Sequence, residues 1–127
     1  MPRVLIIDDQ KDVRAMVAIV LRVHRFEVAE AESGAAGLKA FAESPFDAAI
    51  VDIFLGDTSG VDVIASLRER APGLPIIAVS GMTALDFMEQ SPHLANVVCQ
   101  KPFRPNDLLQ ALRKAQAAAG GELPAAV

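Results

Sequence analysis

Short aliphatic runs alternate with helix-like segments along the chain, and this alternation restricts the possible folds more than any other feature. Residues 4–7 are apolar at every position, which is typical of a strand buried on both faces of a sheet. Residues 11–24 instead repeat their apolar side chains with the spacing of one helical face. The predicted strands are residues 4–7, 26–29, 47–51, 75–79 and 96–99. The predicted helices are residues 11–24, a helix from the Ser33 cap to Pro45, a helix from Val61 to Pro72, a short helix after Thr83, and residues 106 to about 118. Strict alternation predicts an α/β fold in which helices cover both faces of a parallel sheet.

The composition is that of one globular domain. A length of 127 residues with 52% hydrophobic residues is enough for a sizeable core. No apolar stretch approaches the length of a membrane span, and the N-terminus enters a predicted strand without the regions of a signal peptide. The net charge of −4 disfavours broad nucleic-acid binding, and a single cysteine, Cys99, excludes an intramolecular disulfide. We therefore expect a soluble, cytoplasmic protein without membrane insertion or direct contact with nucleic acid.

Polar side chains stand where the predicted strands end. The first strand is followed by Asp8 and Asp9, the third by Asp52, the fourth by Ser80 and the fifth by Lys101. Because the carboxyl ends of parallel strands lie at one edge of a sheet, where ligands bind, these side chains should converge. Each has an ordinary alternative when taken alone, since an acid can cap a helix, a serine can belong to a turn and a lysine can be a solvated charge. Their occurrence on successive strand ends is what favours a common site.

The predicted cluster suits phosphoryl chemistry. Carboxylates held close together repel one another and favour a hard cation bound through oxygen, for which Mg²⁺ is the leading candidate. The Lys101 ammonium and the Ser80 hydroxyl can contact the oxygens of a phosphoryl group. Asp52 is the central acid and can itself be the nucleophile, which would give an aspartyl phosphate.

Four motifs in order carry a family resemblance. They are VLIIDD at 4–9, AAIVDIFLGDTSG at 48–60, PIIAVSG at 75–81 and KPF at 101–103. Over residues 3 to about 118, the chain resembles a response-regulator receiver domain of bacterial two-component signalling, of the stand-alone, chemotaxis-regulator-like kind. The resemblance implies a flavodoxin-like (βα)5 doubly wound, five-stranded parallel sheet with strand order 2-1-3-4-5. It also implies a receiver domain at residues 1–118, and we expect a disordered tail at residues 119–127.

The resemblance further implies a role for each acid. Asp52 would be the phosphoacceptor and a ligand of the Mg²⁺ cofactor. Asp9 would be a direct metal ligand, Asp8 would act on the metal mainly through water, and the main-chain carbonyl of Phe54 would complete the protein ligands.

The implied function is signalling by phosphorylation. The chain would take a phosphoryl group from a sensor histidine kinase or a histidine phosphotransfer protein, and would then change its affinity for a downstream protein. Ser80 and Lys101 would bind the phosphoryl group and report its presence. We expect no enzyme activity beyond the chain's own phosphorylation and slow dephosphorylation, and we expect a monomer or a weak homodimer.

Three other functions are alternatives to this one. A phosphorylation-independent pseudo-receiver would be an interaction module with the same fold, although the complete set of site residues argues against it. An FMN-binding flavodoxin-like protein would need a Ser/Thr/Gly-rich loop after the first strand, where this chain has Asp8-Asp9-Gln10, and the chain contains no Trp or Tyr to stack on a flavin. An aspartate-nucleophile phosphatase would usually have two acids in an Asp-x-Asp pattern, whereas here the paired acids are adjacent.

Several positions depart from the family pattern. Gly56 replaces a proline that often follows the phosphoacceptor, which should loosen that loop. Val98 replaces an aromatic residue that commonly swings inward on phosphorylation in the family. The predicted helix after Thr83 is shorter than the family pattern. Phe54 and Met82 occupy the positions that flank the path of the hydrolytic water. Because neither side chain can orient a water, slow self-dephosphorylation is predicted.

Overall fold

The computed structural model describes residues 2–81 and 95–119. The strands in these ranges are β1 (Arg3–Ile7), β2 (Glu27–Ala31), β3 (Ala48–Asp52), β4 (Ile76–Ser80) and β5 (Val97–Gln100). The helices are α1 (Lys11–Val23), α2 (Gly34–Glu43), α3 (Gly60–Arg70) and α4 (Pro105–Ala118). The helix predicted after Thr83, Met82 and all but the first residue of the predicted tail at 119–127 lie outside the described residues, so those predictions stay open.

The five strands form one parallel sheet in the order β2-β1-β3-β4-β5, which confirms the predicted topology. Ile7 of β1 pairs with Val51 of β3, and Asp52 at the end of β3 pairs with Val79 of β4. Ser80 at the end of β4 pairs with Gln100 of β5. The carboxyl ends of β1, β3, β4 and β5 therefore lie at the same level, at one edge of the sheet.

The core consists of two apolar layers, one on each face of the sheet. Successive residues of a strand point to opposite faces, so Val4 and Ile6 belong to one layer while Leu5 and Ile7 belong to the other. Helices α1 and α4 cover the first layer through Leu21, Leu108 and other buried residues. Helices α2 and α3 cover the second layer. Each fully buried Leu or Ile contributes roughly 1.5–3 kcal/mol, so both layers stabilise the sheet that carries the polar edge.

Four strands end one or two residues beyond the predicted position, whereas β1 begins one residue earlier and ends at Ile7 as predicted. β2 spans Glu27–Ala31 rather than residues 26–29, because its pairing with β1 continues along the whole of β1. Phe26 precedes the strand and is buried in the layer beneath α1. β3 extends through Asp52 and β4 through Ser80, because the strand pairing continues past the last apolar residue. Apolarity alone therefore underestimates strand length at the polar edge.

The ends of α2 follow the predicted signals. Ser33 caps the helix, since its Oγ accepts a hydrogen bond from the Ala36 N–H at 3.1 Å. The helix ends at Glu43, and Ser44 before Pro45 is extended, as the residue before a proline usually is.

Within residues 2–81 and 95–119, no helix combines the length and the apolar character that a membrane crossing requires.

Candidate functional site

Three carboxylates meet at the polar edge of the sheet. Asp8 and Asp9 follow β1, Asp52 is the last residue of β3, and one carboxylate oxygen from each lies within 4.8 Å of the others. Asp8 and Asp52 are only 3% and 4% exposed, whereas Asp9 is open to solvent. The cluster therefore has a buried side formed by two acids and an open side at the third.

Hydrogen bonds fix Asp8 in the turn between β1 and α1. Its Oδ1 accepts from the Gln10 N–H at 2.8 Å, and its own N–H donates to the Ala31 carbonyl of β2 at 3.1 Å. The Arg14 guanidinium donates to the Asp8 main-chain carbonyl at 2.8 Å and forms an ion pair with Glu30 at 3.4 Å. The turn that carries the acid pair is thus held from both β2 and α1.

Asp52 is fixed by the chain that follows it. Its Oδ1 accepts a hydrogen bond from the Phe54 N–H at 3.0 Å. Gly60 lies against this strand end, and a Cβ at Gly60 would overlap the main-chain oxygen of Asp52 and the Cα of Ile53. Only glycine fits such a close approach of two backbone segments. The first residue of α3 is therefore packed directly behind the acid.

Lys101 joins the ends of three strands. Its Nζ lies 3.0 Å from Asp52 Oδ2 and 3.3 Å from Asp8 Oδ2, and it donates to Gln10 Oε1 at 2.7 Å. Its main-chain N–H donates to the Ser80 carbonyl at 2.8 Å, which continues the pairing of β5 with β4. The ammonium is therefore held inside the acid cluster and is not an ordinary surface charge.

Burial and charge shift the pKa values of two groups in this cluster. Burial raises the pKa of Asp8, and the neighbouring Asp52 raises it further, while hydrogen bonds from Gln10 and Lys101 only partly offset these effects. Burial alone would lower the pKa of Lys101, but hydrogen bonding and attraction to Asp52 and Asp8 outweigh it, so this pKa is raised. Lys101 therefore stays charged. Additional positive charge near the carboxylates would stabilise their ionised form.

The structure also locates Ser80 and Phe54 at this edge. Ser80 is fully buried at the end of β4, one residue beyond the strand position that pairs with Asp52. Phe54 lies two residues after Asp52, its side chain is 61% exposed, and its main chain bridges to Ser59. The positions agree with the sequence prediction, while the phosphate contact of Ser80 and the metal contact of the Phe54 carbonyl stay predictions.

A solvent-open cavity of about 270 Å³ lies over the acids. It is lined by Asp9, Gln10, Asp52, Phe54, Gly81 and Lys101. The three carboxylates fit Mg²⁺, because this cation prefers oxygen ligands and keeps several waters, for which the open side at Asp9 leaves space. The cavity thus brings together the Lys101 ammonium, Asp9 of the acid cluster and Asp52, the predicted acceptor.

Sequence patterns did not indicate Gln10 or Arg14 as parts of this site. Gln10 contributes both its N–H to Asp8 and its side-chain oxygen to Lys101. The only signal in the sequence is its position directly after the acid pair. Arg14 lies on the helix that follows, and nothing in its spacing indicates that it reaches back to the Asp8 carbonyl.

Comparison with known proteins identifies the family. The family described as response regulator receiver domain matches residues 4–113. The transcriptional regulatory protein KdpE of Mycobacterium tuberculosis is 36% identical over 116 residues, which cover 91% of this chain and 51% of that protein. A putative response regulator, NtrX-like, of Rickettsia bellii is 30% identical over 115 residues, which cover 88% of this chain and 24% of that protein. The chain therefore spans about half the length of KdpE and a smaller part of the NtrX-like protein.

Solved structures agree with this assignment. A CheY-like receiver domain protein from Methanospirillum hungatei is 27% identical, with a TM-score of 0.86 over 94% of this chain and 98% of that one. The response regulator TrrA of Thermotoga maritima, solved in complex with Mg²⁺-BeF, is 25% identical, with a TM-score of 0.83 over 91% of this chain and 99% of that one. These likenesses favour the receiver prediction over the flavodoxin and phosphatase alternatives. The chain belongs to the response-regulator receiver domain family, whose members are phosphorylatable signalling domains.

Proposed function

We propose that this receiver takes a phosphoryl group from a phosphohistidine onto Asp52, with Mg²⁺ bound at the acid cluster, and then changes its affinity for a downstream protein. The observation that carries the proposal is the position of Lys101, whose ammonium lies 3.0 Å from Asp52 Oδ2 beside two further acids. An acid that only ended a strand or capped a helix would not require a lysine and two further acids beside it.

The chemistry is a transfer between two nucleophiles. The bond from phosphorus to the imidazole nitrogen of the donor breaks, and the imidazole keeps the electron pair. A new bond forms between phosphorus and a carboxylate oxygen of Asp52, which gives an aspartyl phosphate. Hydrogen bonds from Phe54 and Lys101 already orient the Asp52 carboxylate, so little reorganisation is required before attack.

Each charged group has a part in this transfer. Asp8, Asp9, Asp52 and the Phe54 carbonyl would hold Mg²⁺, which when bound would neutralise charge on the phosphoryl oxygens. Lys101 would exchange its contact with Asp52 for one with a phosphoryl oxygen. This exchange would move a cationic side chain attached to the end of β5, and it is a direct way for phosphorylation to alter the surface near that strand.

The proposed partners follow from this chemistry. A sensor histidine kinase or a histidine phosphotransfer protein would donate the phosphoryl group, and a protein target would bind one of the two phosphorylation states. We propose that the reaction takes place in the cytoplasm. Apart from its own phosphorylation and slow dephosphorylation, the chain is proposed to catalyse nothing.

Intact mass spectrometry tests the proposal. The chain is incubated with acetyl phosphate and Mg²⁺, beside an Asp52→Asn variant and a sample containing EDTA. We expect the mass of one phosphoryl group to be added only to the unmodified chain with Mg²⁺. A gain in mass by the Asp52→Asn variant would assign the acceptor to another residue.

A folded chain without any gain in mass would require a second donor. Incubation with a panel of phosphorylated histidine kinases would then separate a receiver that needs its own kinase from a pseudo-receiver. Failure of every donor would favour a binding module that acts without phosphorylation.

A further inference from the structure

The loop between β3 and α3, residues 53–59, is closed at its base. Phe54 and Ser59 form an antiparallel bridge, and the Gly60 N–H donates to the Ile53 carbonyl at 2.7 Å. Gly56 near the tip replaces the proline that would have restricted the loop, so its conformation has to be stabilised by other contacts.

Asp57 supplies such a contact at the tip. Its Oδ1 accepts from the Gly34 N–H at 2.9 Å, and its Oδ2 accepts from the Ala35 N–H at 3.1 Å. These N–H groups belong to the first turn of α2, where no helical carbonyl can accept them. The hydrogen bonds from Gly34 and Ala35 lower the pKa of Asp57 below its ordinary value. Asp57 therefore ties the loop to a helix more than twenty residues earlier in the chain.

Packing supports the same tether. Gly34 is buried, and a Cβ at this position would overlap Thr58 Cγ2 and would lie 2.9 Å from Val63 Cγ2. A larger residue at Gly34 would push the loop away from the helix. The loop thus contacts α2 through hydrogen bonds at Asp57 and through close packing at Thr58.

The same loop adjoins the acid cluster. Phe54, at its base, donates its N–H to Asp52, and its carbonyl is the proposed main-chain ligand. Gly56 lies beside Asp9, because a Cβ at Gly56 would be 3.6 Å from Asp9 Oδ2. The loop therefore touches the cation site on one side and α2 on the other.

We propose that Asp57 is a positioning residue, which holds loop 53–59 against α2 and thereby fixes the Phe54 main chain at the cation site. The inference rests on the proposed function, since it concerns how well the same site binds Mg²⁺. By linkage, cation binding strengthens the tether as much as the tether strengthens cation binding. Because Gly56 does not restrict loop 53–59 as a proline would, the position of the loop depends on the hydrogen bonds that Asp57 accepts from α2.

Calorimetric titration with Mg²⁺ tests the inference on folded protein. Asp57→Ala removes both acceptors and should weaken Mg²⁺ binding by about fivefold, the lower end of the usual range for coupled sites. Asp57→Asn removes the same charge but keeps one acceptor oxygen, so its affinity should lie closer to that of the unmodified chain. The amide resonances of Gly34 and Ala35 should shift on Mg²⁺ addition in the unmodified chain and less in Asp57→Ala.

Ser33→Ala is the matched control for the helix. Ser33 caps α2 through the Ala36 N–H and does not belong to the loop, so its loss weakens the helix start but leaves the tether. This variant should unfold at lower urea and should keep the Mg²⁺ affinity. Circular dichroism in the titration buffer confirms that each variant is folded.

Three outcomes would overturn the inference. They are an unchanged Mg²⁺ affinity in Asp57→Ala, an equal loss in Asp57→Ala and Asp57→Asn, and an equal loss in Ser33→Ala. The second would assign the effect to charge, and the third to helix stability. A chain that binds no Mg²⁺ before any substitution would instead contradict the proposed function itself.

Discussion

At the scale of the residue, we expect the acid cluster to lower the stability of the fold in return for the proposed cation binding. Asp8 is buried beside Asp52, and its raised pKa reports that the folded chain disfavours a second negative charge there. Lys101 offsets this cost only in part. Removal of one carboxylate should therefore stabilise the protein in the absence of a cation and weaken its response to one.

Asp8→Asn tests this trade. We expect its free energy of unfolding at pH 7 without Mg²⁺ to rise by about 1 kcal/mol, as is common when a functional residue is replaced. Added Mg²⁺ should stabilise the unmodified chain by mass action and the variant much less. Urea unfolding followed by circular dichroism measures both effects, since the chain has no Trp.

The pH dependence of this difference follows from the sign of the shift. The folded chain keeps the Asp8 proton to a higher pH than the unfolded chain, whose pKa is near 3.8. The contribution of Asp8 to stability is therefore full below 3.8 and is lost as the pH rises through the higher folded pKa. The difference between Asp8→Asn and the unmodified chain should shrink on acidification, and a variant less stable at pH 7 would contradict the account.

Phe54→Asn tests the lifetime of the phosphorylated state. The Phe54 side chain is 61% exposed, so its replacement should cost little stability. An amide at this position can orient a water toward the phosphoryl group, and positioned groups of this kind commonly accelerate proton transfers by 10²–10⁴-fold, so an increase of about tenfold is a conservative expectation. Decay of phosphorylated protein after donor removal measures the rate, with Phe54→Leu as the apolar control. An equal or slower decay in Phe54→Asn would reject the hypothesis.

The position of the site was predictable because the ends of the strands are visible in the pattern of apolar residues. Asp8, Asp52 and Lys101 each follow an apolar run, and parallel pairing brings them together whatever the details of the loops. Gln10 and Asp57 were not predicted as contacts, because their partners depend on the direction of individual side chains. No spacing rule in the sequence gives that direction.

At the scale of the element, the close contact of α3 with β3 is the tightest constraint near the site. A Cβ at Gly60 would overlap backbone atoms of Asp52 and Ile53, and backbone cannot move aside as a flexible side chain can. By contrast, a Cβ at Gly73 would meet nothing within 4 Å. The two glycines differ in role although each lies near one end of α3.

Gly60→Ala and Gly73→Ala form a matched pair. We expect Gly60→Ala to destabilise the chain by about 3 kcal/mol, in the range of overpacked sites, and to reduce phosphorylation by displacing Asp52. Gly73→Ala should be neutral or should stabilise by about 0.4–1 kcal/mol, because alanine restricts the unfolded chain. Thermal unfolding compares the two variants, and equal losses would show that the overlap at Gly60 is relieved at no cost.

Element boundaries were less predictable than element types. β2 was expected at residues 26–29 and lies at Glu27–Ala31, because its pairing with β1 decides which residues are extended. Phe26 has the side chain of a strand residue but serves as a core contact under α1. Such tertiary contacts override local preference, which is why the edge strand β2 was predicted least well.

At the scale of the whole molecule, the sheet separates two apolar layers and leaves one polar edge. The layers contain almost all of the buried side chains among the described residues, and the three buried polar residues, Asp8, Asp52 and Ser80, all lie at the edge. That the chain is a monomer or a weak homodimer stays a prediction. Cys99 lies on β5 against the first layer, so the reactivity of its thiol can report opening of the fold.

Reaction of Cys99 with a disulfide reagent reports global opening. The thiol is 7% exposed, and burial raises its pKa from 9.0 to about 11. At pH 8 the thiolate fraction is therefore about a hundredfold lower than for a free cysteine, and access is restricted as well. We expect the folded chain to react at least about a hundredfold more slowly than the urea-unfolded chain. Comparable rates at pH 8 would mean that the β5 region opens locally under native conditions.

The solvent-facing carboxylate of Asp9 has a consequence for timing. A Mg²⁺ ion bound as proposed would be enclosed on the side of Asp8 and Asp52 but open to water at Asp9, so it could leave without unfolding of the protein. Its residence time would then be set by ligand exchange, and its occupancy would follow the concentration of free magnesium. On the proposed function, a fall in free magnesium would therefore stop phosphorylation within the time of a single dissociation.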